Sequence, residues 1–424
     1  MTDSGRTPAP HRVAVVGAGM IGLSAAWFLR RDGIDVEVFE ARTAGSGASW
    51  GNAGWLAPAL TTPLPGPAVL RTGIRAVFDP SSPVYVPPRA DPRLWRFLAG
   101  FVRNSTSARR RRGMAAYRAV NELALDAFDE VAAGGADLAM RPAGDFLVCF
   151  DELAARGELV AELATMAETG QKVGYDLLDG DEARSRAPML SGRVAGAIAL
   201  HDQRFVDPPR CLAGLAGAVT SGGALLREGA AVTGVQDAGD GGVTVRWTQE
   251  GRADESRFDA VVLATGATGS ELARPFGVRT PVQAGRGYSF SVPVAELPAG
   301  PVYLPAQRVA MTPLGDRLRI AGMMEFRAPQ EPLDPRRIAA ITRAVQPLLQ
   351  GADLTDRADE WVGSRPCTPD GLPLIGPTRS PRVFVAGGLG MWGMVLGPLT
   401  GRLVARNVVT GQVPGELRPF APTR

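Results

Sequence analysis

Hydrophobic positions change period twice between Arg12 and Glu40. Residues 12–40 read RVAVVGAGMIGLSAAWFLRRDGIDVEVFE: a short β-branched run, a glycine turn, a helical stretch with Ala26 and Leu29 on its inward stripe, and a second run in which Val36 and Val38 alternate. Gly33 ends the helix, so the pattern predicts a complete βαβ unit. Farther on, FDAVVLATGATG at 258–269 reads as a buried strand running into a small-residue turn, and the chain after Asp207-Pro208-Pro209 reads as an apolar-periodic helix. GYSFSV at 287–292 and DRLRIAGMM at 316–324 alternate as an antiparallel sheet facing a ligand on one side does. The expected fold is α/β, with a Rossmann-like domain built from discontinuous segments 1–95, 200–275 and 360–424. A second domain, from 96–199 and 276–359, carries a mainly antiparallel sheet and binds substrate.

The glycines of the first turn have separate tasks. Gly17 permits the tight turn, Gly19 lets backbone approach a pyrophosphate, and Gly22 allows the helix to pack on the strand. The helix then offers free N–H groups and a positive dipole end to the phosphates through Met20 and Ile21. Glu40, eighteen residues after Gly22, stands where a carboxylate accepts both ribose hydroxyls, a placement that disfavours a 2′-phosphate. Strand, helix and acid in register predict a dinucleotide site. FAD and NAD are not separated by this motif alone.

Composition narrows the class. The 424 residues are 45% hydrophobic, enough for a large core in two or three domains, and 46 basic against 43 acidic side chains leave a charge of only +3, which gives no support to nucleic-acid binding. The one dense basic run, Arg109 to Arg112, opens a predicted helix; it reads either as a solvated face or as a contact for anionic lipid or a partner. Three scattered cysteines, Cys149, Cys211 and Cys367, have neither disulfide-framework nor metal-ligand spacing. Nothing reaches the apolar length of a membrane span, and Met1 to Pro10 lacks a signal-peptide pattern. A cytoplasmic protein is expected, with membrane contact at most peripheral.

The segment after Glu40 makes the cofactor specific. Residues 45–58, GSGASWGNAGWLAP, are small and polar where an NAD domain would move on to its next helix. Gly47-Ala48-Ser49 and Asn52-Ala53-Gly54 resemble the segment that D-amino-acid dehydrogenases and glycine oxidases lay along the FAD pyrophosphate and isoalloxazine. The resemblance implies FAD held by Ala48, Ser49, Asn52 and the backbone of Ala53 and Gly54, with Glu40, Ala41 and Arg42 on the adenosine side. The turn Ala264-Thr265-Gly266 resembles the second flavin motif of such proteins, and Val232 matches the position whose backbone meets the adenine.

The C-terminal segment resembles the same family. WVGSRPCTPDGLPLIGP at 361–377 followed by VFVAGGLGMWGMVLGP has its Arg-Pro, Thr-Pro-Asp-Gly turn, strand and glycine-bounded turn. A helix starting near Gly390 to Gly393 would aim N–H groups at the flavin, and the backbone of Gly390, Met391, Gly393 and Met394 is assigned to FAD by that likeness. Arg365 matches the arginine that holds the substrate carboxylate in glycine oxidase and its relatives; the other reading is a brace for the turn through Asp370. Tyr288 is a pocket candidate, or a half-buried strand residue. Two features depart from the family: Gly388-Leu389-Gly390 stands where Gly-His-Gly is usual, and Met391-Trp392 makes the turn bulkier. Cys367 lies near the place where sarcosine oxidases attach FAD, but its offset differs, so non-covalent FAD is expected.

With only His11 and His201, no histidine base is supported. The expected reaction is oxidation of the C–N bond of an amino acid or related small-molecule amine, by hydride transfer to flavin N5, giving an imine that hydrolyses. Arg365 anchors a carboxylate, Tyr288 assists orientation, and Trp392 shapes the pocket. Oxygen or a quinone would accept the electrons. The alternatives are a secondary-amine or glycine oxidase, a biosynthetic flavoenzyme acting on an unusual or carrier-linked amine, an NAD(P)H-dependent hydroxylase, disfavoured by the lack of a second GxGxxG, and a non-catalytic flavin-binding subunit.

Overall fold

β1 (Arg12–Val16), α1 (Met20–Arg31) and β2 (Asp35–Phe39) form the expected βαβ unit in the computed structural model, which describes residues 10–67, 69–70, 79, 82–88 and 90–424. Residues 1–9, most of the stretch that lacks a signal-peptide pattern, lie outside the described residues. β1 sits inside a six-stranded sheet ordered Leu225–Arg227, β2, β1, Ala260–Leu263, Val383–Gly387 and Leu374–Pro377, parallel except for the last strand. Alternation along β1 serves two layers. Val13 and Val15 face a core shared with α1 and the helices Pro208–Ser221 and Gly397–Thr410, while Ala14 and Val16 face a three-stranded antiparallel sheet of Ala231–Asp237, Val243–Gln249 and Arg252–Phe258.

The second layer of the molecule is a nine-stranded, mainly antiparallel sheet. From one edge it runs Ala358–Cys367, Gln283–Val292, Arg317–Phe326 and Val309–Leu314, paired in that order, with the helix Pro335–Val345 packed on the face away from the nucleotide domain. Strands Val302–Leu304, Phe146–Phe150, Gly196–Leu200 and Tyr175–Asp179 extend it, and Val84–Tyr85 lies beside Arg317–Phe326.

The two layers divide the chain differently from the expected boundaries. Helices Ser107–Glu122 and Ala124–Ala133, read as substrate domain, bury Tyr117, Val120, Ala124, Phe128 and Val131 in the nucleotide-domain core. An amphipathic stripe states that a helix is buried, not which core receives it. The strand Ala358–Cys367 also carries the large sheet past residue 359, and Val84–Tyr85 joins that sheet from inside the segment 1–95.

Candidate active site

The nucleotide end of the site is a backbone cradle. Gly17 is left-handed, φ +103°, and a Cβ there would lie 2.4 Å from the Ala264 carbonyl oxygen. Gly22 is tighter still, because a Cβ would fall 1.8 Å from the Gly17 oxygen. No side chain caps α1, and the Met20 N–H points to Ser49 Oγ at 3.4 Å. The space between Gly19 and Ser49 therefore faces open backbone donors and the positive end of a helix dipole, which fits a pyrophosphate. The Met20 side chain is in the core and Ile21 packs on it, so both can contribute only backbone here.

Glu40 turns back toward this loop. Its Oε2 accepts from the Ala18 N–H at 2.8 Å and its Oε1 from the Arg42 N–H at 3.0 Å, across the exposed Ala41. Gly229 and Ala230 donate to the Arg42 and Glu40 carbonyls at 2.9 and 2.8 Å, which brings Val232 alongside. Thr265 and Gly266, the latter with φ +61°, follow the strand Ala260–Leu263 whose end abuts Gly17.

The loop from Ala48 to Gly54 is held from both sides. Gly54 donates its N–H to Asn52 Oδ1 at 2.8 Å, and its own Cβ would lie 2.2 Å from the Val206 oxygen. From the large sheet, Ser289 Oγ donates to the Gly51 carbonyl at 2.9 Å and Thr312 Oγ1 to the Ala53 carbonyl at 2.7 Å. Arg319, 3% exposed, bonds Ser291 Oγ at 3.0 Å with its guanidinium 5.5 Å from the Trp50 ring centre. The Trp361 ring covers Gly51, where a Cβ would come within 2.2 Å of it. None of these sheet residues was singled out in the sequence. The signal was there: Gly285, Gly287, Ser289 and Ser291 are small at every second position, the mark of a face pressed closely by something else.

At the C-terminal turn, the Gly390 N–H donates to the Pro366 carbonyl at 2.9 Å, tying it to the strand that carries Arg365. The Trp392 indole donates to the Thr62 carbonyl at 2.7 Å. Met391 packs beside Phe97, Met324, Phe326 and Cys367. Gly393 has open space where a Cβ would be, and Met394 is buried in the nucleotide-domain core. The last helix begins at Gly397 and not near Gly390 to Gly393. Its start is set by a close crossing of α1: a Cβ on Gly397 would lie 2.5 Å from Met20 Cγ, and one on Gly401 2.6 Å from the backbone of Ser24 and Ala25. Residues 390–396 are turns leading to that crossing.

Arg365 Nη1 donates to the Met323 carbonyl at 2.7 Å and passes Met324 Sδ at 4.0 Å. The guanidinium lies flat over Gly287, where a Cβ would come within 2.2 Å of Nη2. Among the described residues no carboxylate pairs with it. Burial lowers its pKa below the ordinary arginine value, and an anion placed there interacts more strongly than it would in water. The brace reading fails because Asp370 has another partner: Arg424 Nε and Nη2 meet its two oxygens at 2.9 and 3.1 Å.

Two further expectations need correction. Tyr288 does not line the site. It is 1% exposed, its hydroxyl donates to Glu325 Oε2 at 2.5 Å, and its ring packs in the core beneath the helix Pro335–Val345, because neighbouring strand positions face opposite ways. Leu389 does not line it either. It is 1% exposed within the nucleotide-domain core, so the departure from Gly-His-Gly is a packing change. Cys367 is buried beside Gly285 and Met324, and burial pushes its thiol up to about 12. Of the basic run, Arg110 is paired with Glu162 at 2.6 Å while Arg109, Arg111 and Arg112 are exposed. No described helix is long and apolar enough to cross a membrane.

A glycine loop at the head of a parallel sheet, faced by an antiparallel sheet that grips the neighbouring loop, is the architecture of an FAD-dependent oxidoreductase. The chain belongs to the DAO family of FAD-dependent oxidoreductases, whose family model matches residues 12–407. It is 32% identical over 413 residues to a D-amino acid dehydrogenase of Rhodopseudomonas palustris strain HaA2, covering 91% of each chain. A D-amino acid dehydrogenase of Cereibacter sphaeroides is 30% identical, covering 95% of this chain and 92% of that one. Among solved structures, glycine oxidase from Geobacillus kaustophilus shares the fold with a TM-score of 0.73 at 24% identity, over 98% of this chain and 99% of that one. The protein is an FAD-dependent oxidoreductase.

Proposed function

We propose that the protein oxidises the C–N bond of a carboxylated amine, an amino acid or close relative, with Arg365 holding the carboxylate. The observation that carries this reading is the isolation of Arg365: a partly buried guanidinium with a carbonyl on one prong and no carboxylate among the described residues, in a family of flavoenzymes. A planar two-pronged donor suits a carboxylate. The names of its relatives, D-amino acid dehydrogenases, support an amino acid as substrate.

FAD would be held by the Gly17–Gly22 loop, Glu40, the Ala48–Gly54 loop and the backbone around Gly390, and when bound supplies the two-electron acceptor. The chain itself supplies position. Ser289, Thr312 and Arg319 fix the loop on which the cofactor would lie, and Met323 fixes one prong of Arg365. Met391 and Trp392 shield the C-terminal turn with apolar surface. No histidine stands at the site: His201 pairs with Asp176 at 3.0 Å on an edge strand, and His11 precedes β1. A substrate amine bound neutral needs no general base, so orientation is the main demand on the protein. Non-covalent FAD agrees with a buried Cys367. Electrons leave to oxygen or a quinone.

The test is anaerobic mixing of the holoprotein with D-amino acids, L-amino acids, glycine, N-methylglycine and NADPH, following the visible flavin band. Bleaching by one or more of the carboxylated amines and not by NADPH is expected. Bleaching by none of them, or by NADPH alone, overturns the reading.

A further inference from the structure

The strands Gln283–Val292 and Arg317–Phe326 change register between Arg286 and Tyr288. Arg286 faces Glu325 and Tyr288 faces Gly322, so Met323 and Met324 together oppose Gly287. This is a β-bulge, and Met323 occupies it with φ +67°, a left-handed conformation that favours glycine. The bulge releases two backbone groups from the ladder, and both are used. The Met324 N–H goes to the Pro83 carbonyl at 2.7 Å. The Met323 carbonyl takes Arg365 Nη1 at 2.7 Å. The bulge is thus what aims an acceptor at the guanidinium.

A buried polar cluster lies at the end of the bulge, on the opposite face. Glu325, 0% exposed, accepts from the Tyr288 hydroxyl at 2.5 Å and pairs with Arg327 Nε at 2.7 Å. Arg327 also reaches Glu331 at 3.1 Å. Arg286 stacks over the Tyr288 ring at 5.7 Å and donates to the Glu331 and Pro332 carbonyls at 2.9 and 2.8 Å. Both strands are therefore clamped at the register position next to the bulge. A fully buried carboxylate with two close partners is an expensive way to fill a core unless it specifies geometry.

We propose that Glu325, through Tyr288 and Arg327, is a positioning residue for Arg365: it locks the bulge so that the Met323 carbonyl keeps the guanidinium turned to receive a carboxylate. This rests on the reading of Arg365 given above. The strain at Met323 is held by this clamp.

The test uses the holoprotein and benzoate as carboxylate probe, titrated by its perturbation of the visible flavin spectrum, with benzamide as the uncharged control. Arg365→Ala sets the scale and should weaken benzoate binding by more than tenfold while leaving benzamide unchanged. Glu325→Gln and Tyr288→Phe should each weaken benzoate by roughly three- to tenfold, with benzamide and FAD affinity unchanged, and should add little in an Arg365→Ala background. If Arg365→Ala matters and a folded Glu325→Gln or Tyr288→Phe binds benzoate as the parent does, or its effect adds fully to that of Arg365→Ala, the positioning role is wrong. If Arg365→Ala itself leaves benzoate binding unchanged, or the parent does not bind it, the carboxylate-anchor reading falls and this inference with it. Should Glu325→Gln fail to fold, Tyr288→Phe, which removes one hydroxyl, decides alone.

Discussion

Arg424 and Asp370 form a two-pronged ion pair, at 2.9 and 3.1 Å, that closes the turn following Arg365. Arg424 also donates to the Leu372 and Pro373 carbonyls at 2.8 and 2.7 Å, and the Tyr117 hydroxyl donates to the Gly371 carbonyl at 2.9 Å. The turn is held without Arg365, which leaves that guanidinium for another anion.

The first expected outcome concerns this pair. Both side chains are partly screened, 21% and 27% exposed, so Arg424→Ala should cost only about 1 kcal/mol of stability. Asp370→Ala should cost a similar amount, and the double variant little more than either single one. Denaturant melts of the three variants measure it; fully additive losses would mean that the pair is not coupled.

The glycine cradle allows a sharper contrast. Gly22→Ala places a methyl group 1.8 Å from the Gly17 oxygen and should abolish FAD binding or weaken it by more than about a hundredfold. Gly157→Ala, on the exposed face of the helix Leu153–Glu168 with no atom within 4 Å of the added carbon, should bind FAD as the parent does. Quenching of FAD fluorescence on reconstitution reads both.

Acid should act through Glu130, which bridges Arg31 and, at 3.0 Å, Arg402. Burial alone would raise its pKa, but the hydrogen bonds and charges of Arg402 and Arg31 outweigh burial and hold it below the usual carboxylate range. A lowered folded-state pKa contributes stability that is complete above the unfolded value, about 4.3, and is lost as pH falls through the folded value. Glu130→Gln should therefore be less stable than the parent near neutral pH, with the gap closing in the acid range. A constant gap would refute the linkage.

The thiols should be silent in the native protein. Burial pushes Cys149, Cys211 and Cys367 each up to about 12, so iodoacetamide at mildly alkaline pH should label none until the protein is unfolded. Acid precipitation of the holoprotein should leave all FAD in the supernatant. Flavin retained in the pellet would mean a covalent link.

What the sequence disclosed was local. Gly17, Gly22 and Glu40 belong to one βαβ unit, where spacing and period decide geometry, and they lie around one loop in the structure. Arg365 stood out because its neighbours form a recognisable turn. The rest depends on contacts between distant segments. Tyr288 was assigned to the pocket because its strand was recognised but its facing was not. Leu389 reads as a departure from Gly-His-Gly, and nothing local says that the turn sends its side chain into the core. The start of the last helix was misplaced because Gly397 and Gly401 answer to α1, hundreds of residues earlier in the chain. The helix that Arg109 to Arg112 opens is present, but its buried side packs in the core beside the parallel sheet, which no local pattern states.

The most direct test of Arg365 as carboxylate anchor compares flavin reduction by an amino acid with reduction by its decarboxylated amine, in the parent and in Arg365→Ala, by anaerobic stopped flow. The expected result is a parent that prefers the amino acid strongly, and a variant whose half-saturating amino-acid concentration rises more than tenfold while its reaction with the plain amine is unchanged. An unchanged half-saturating concentration in a folded, FAD-loaded Arg365→Ala would contradict it.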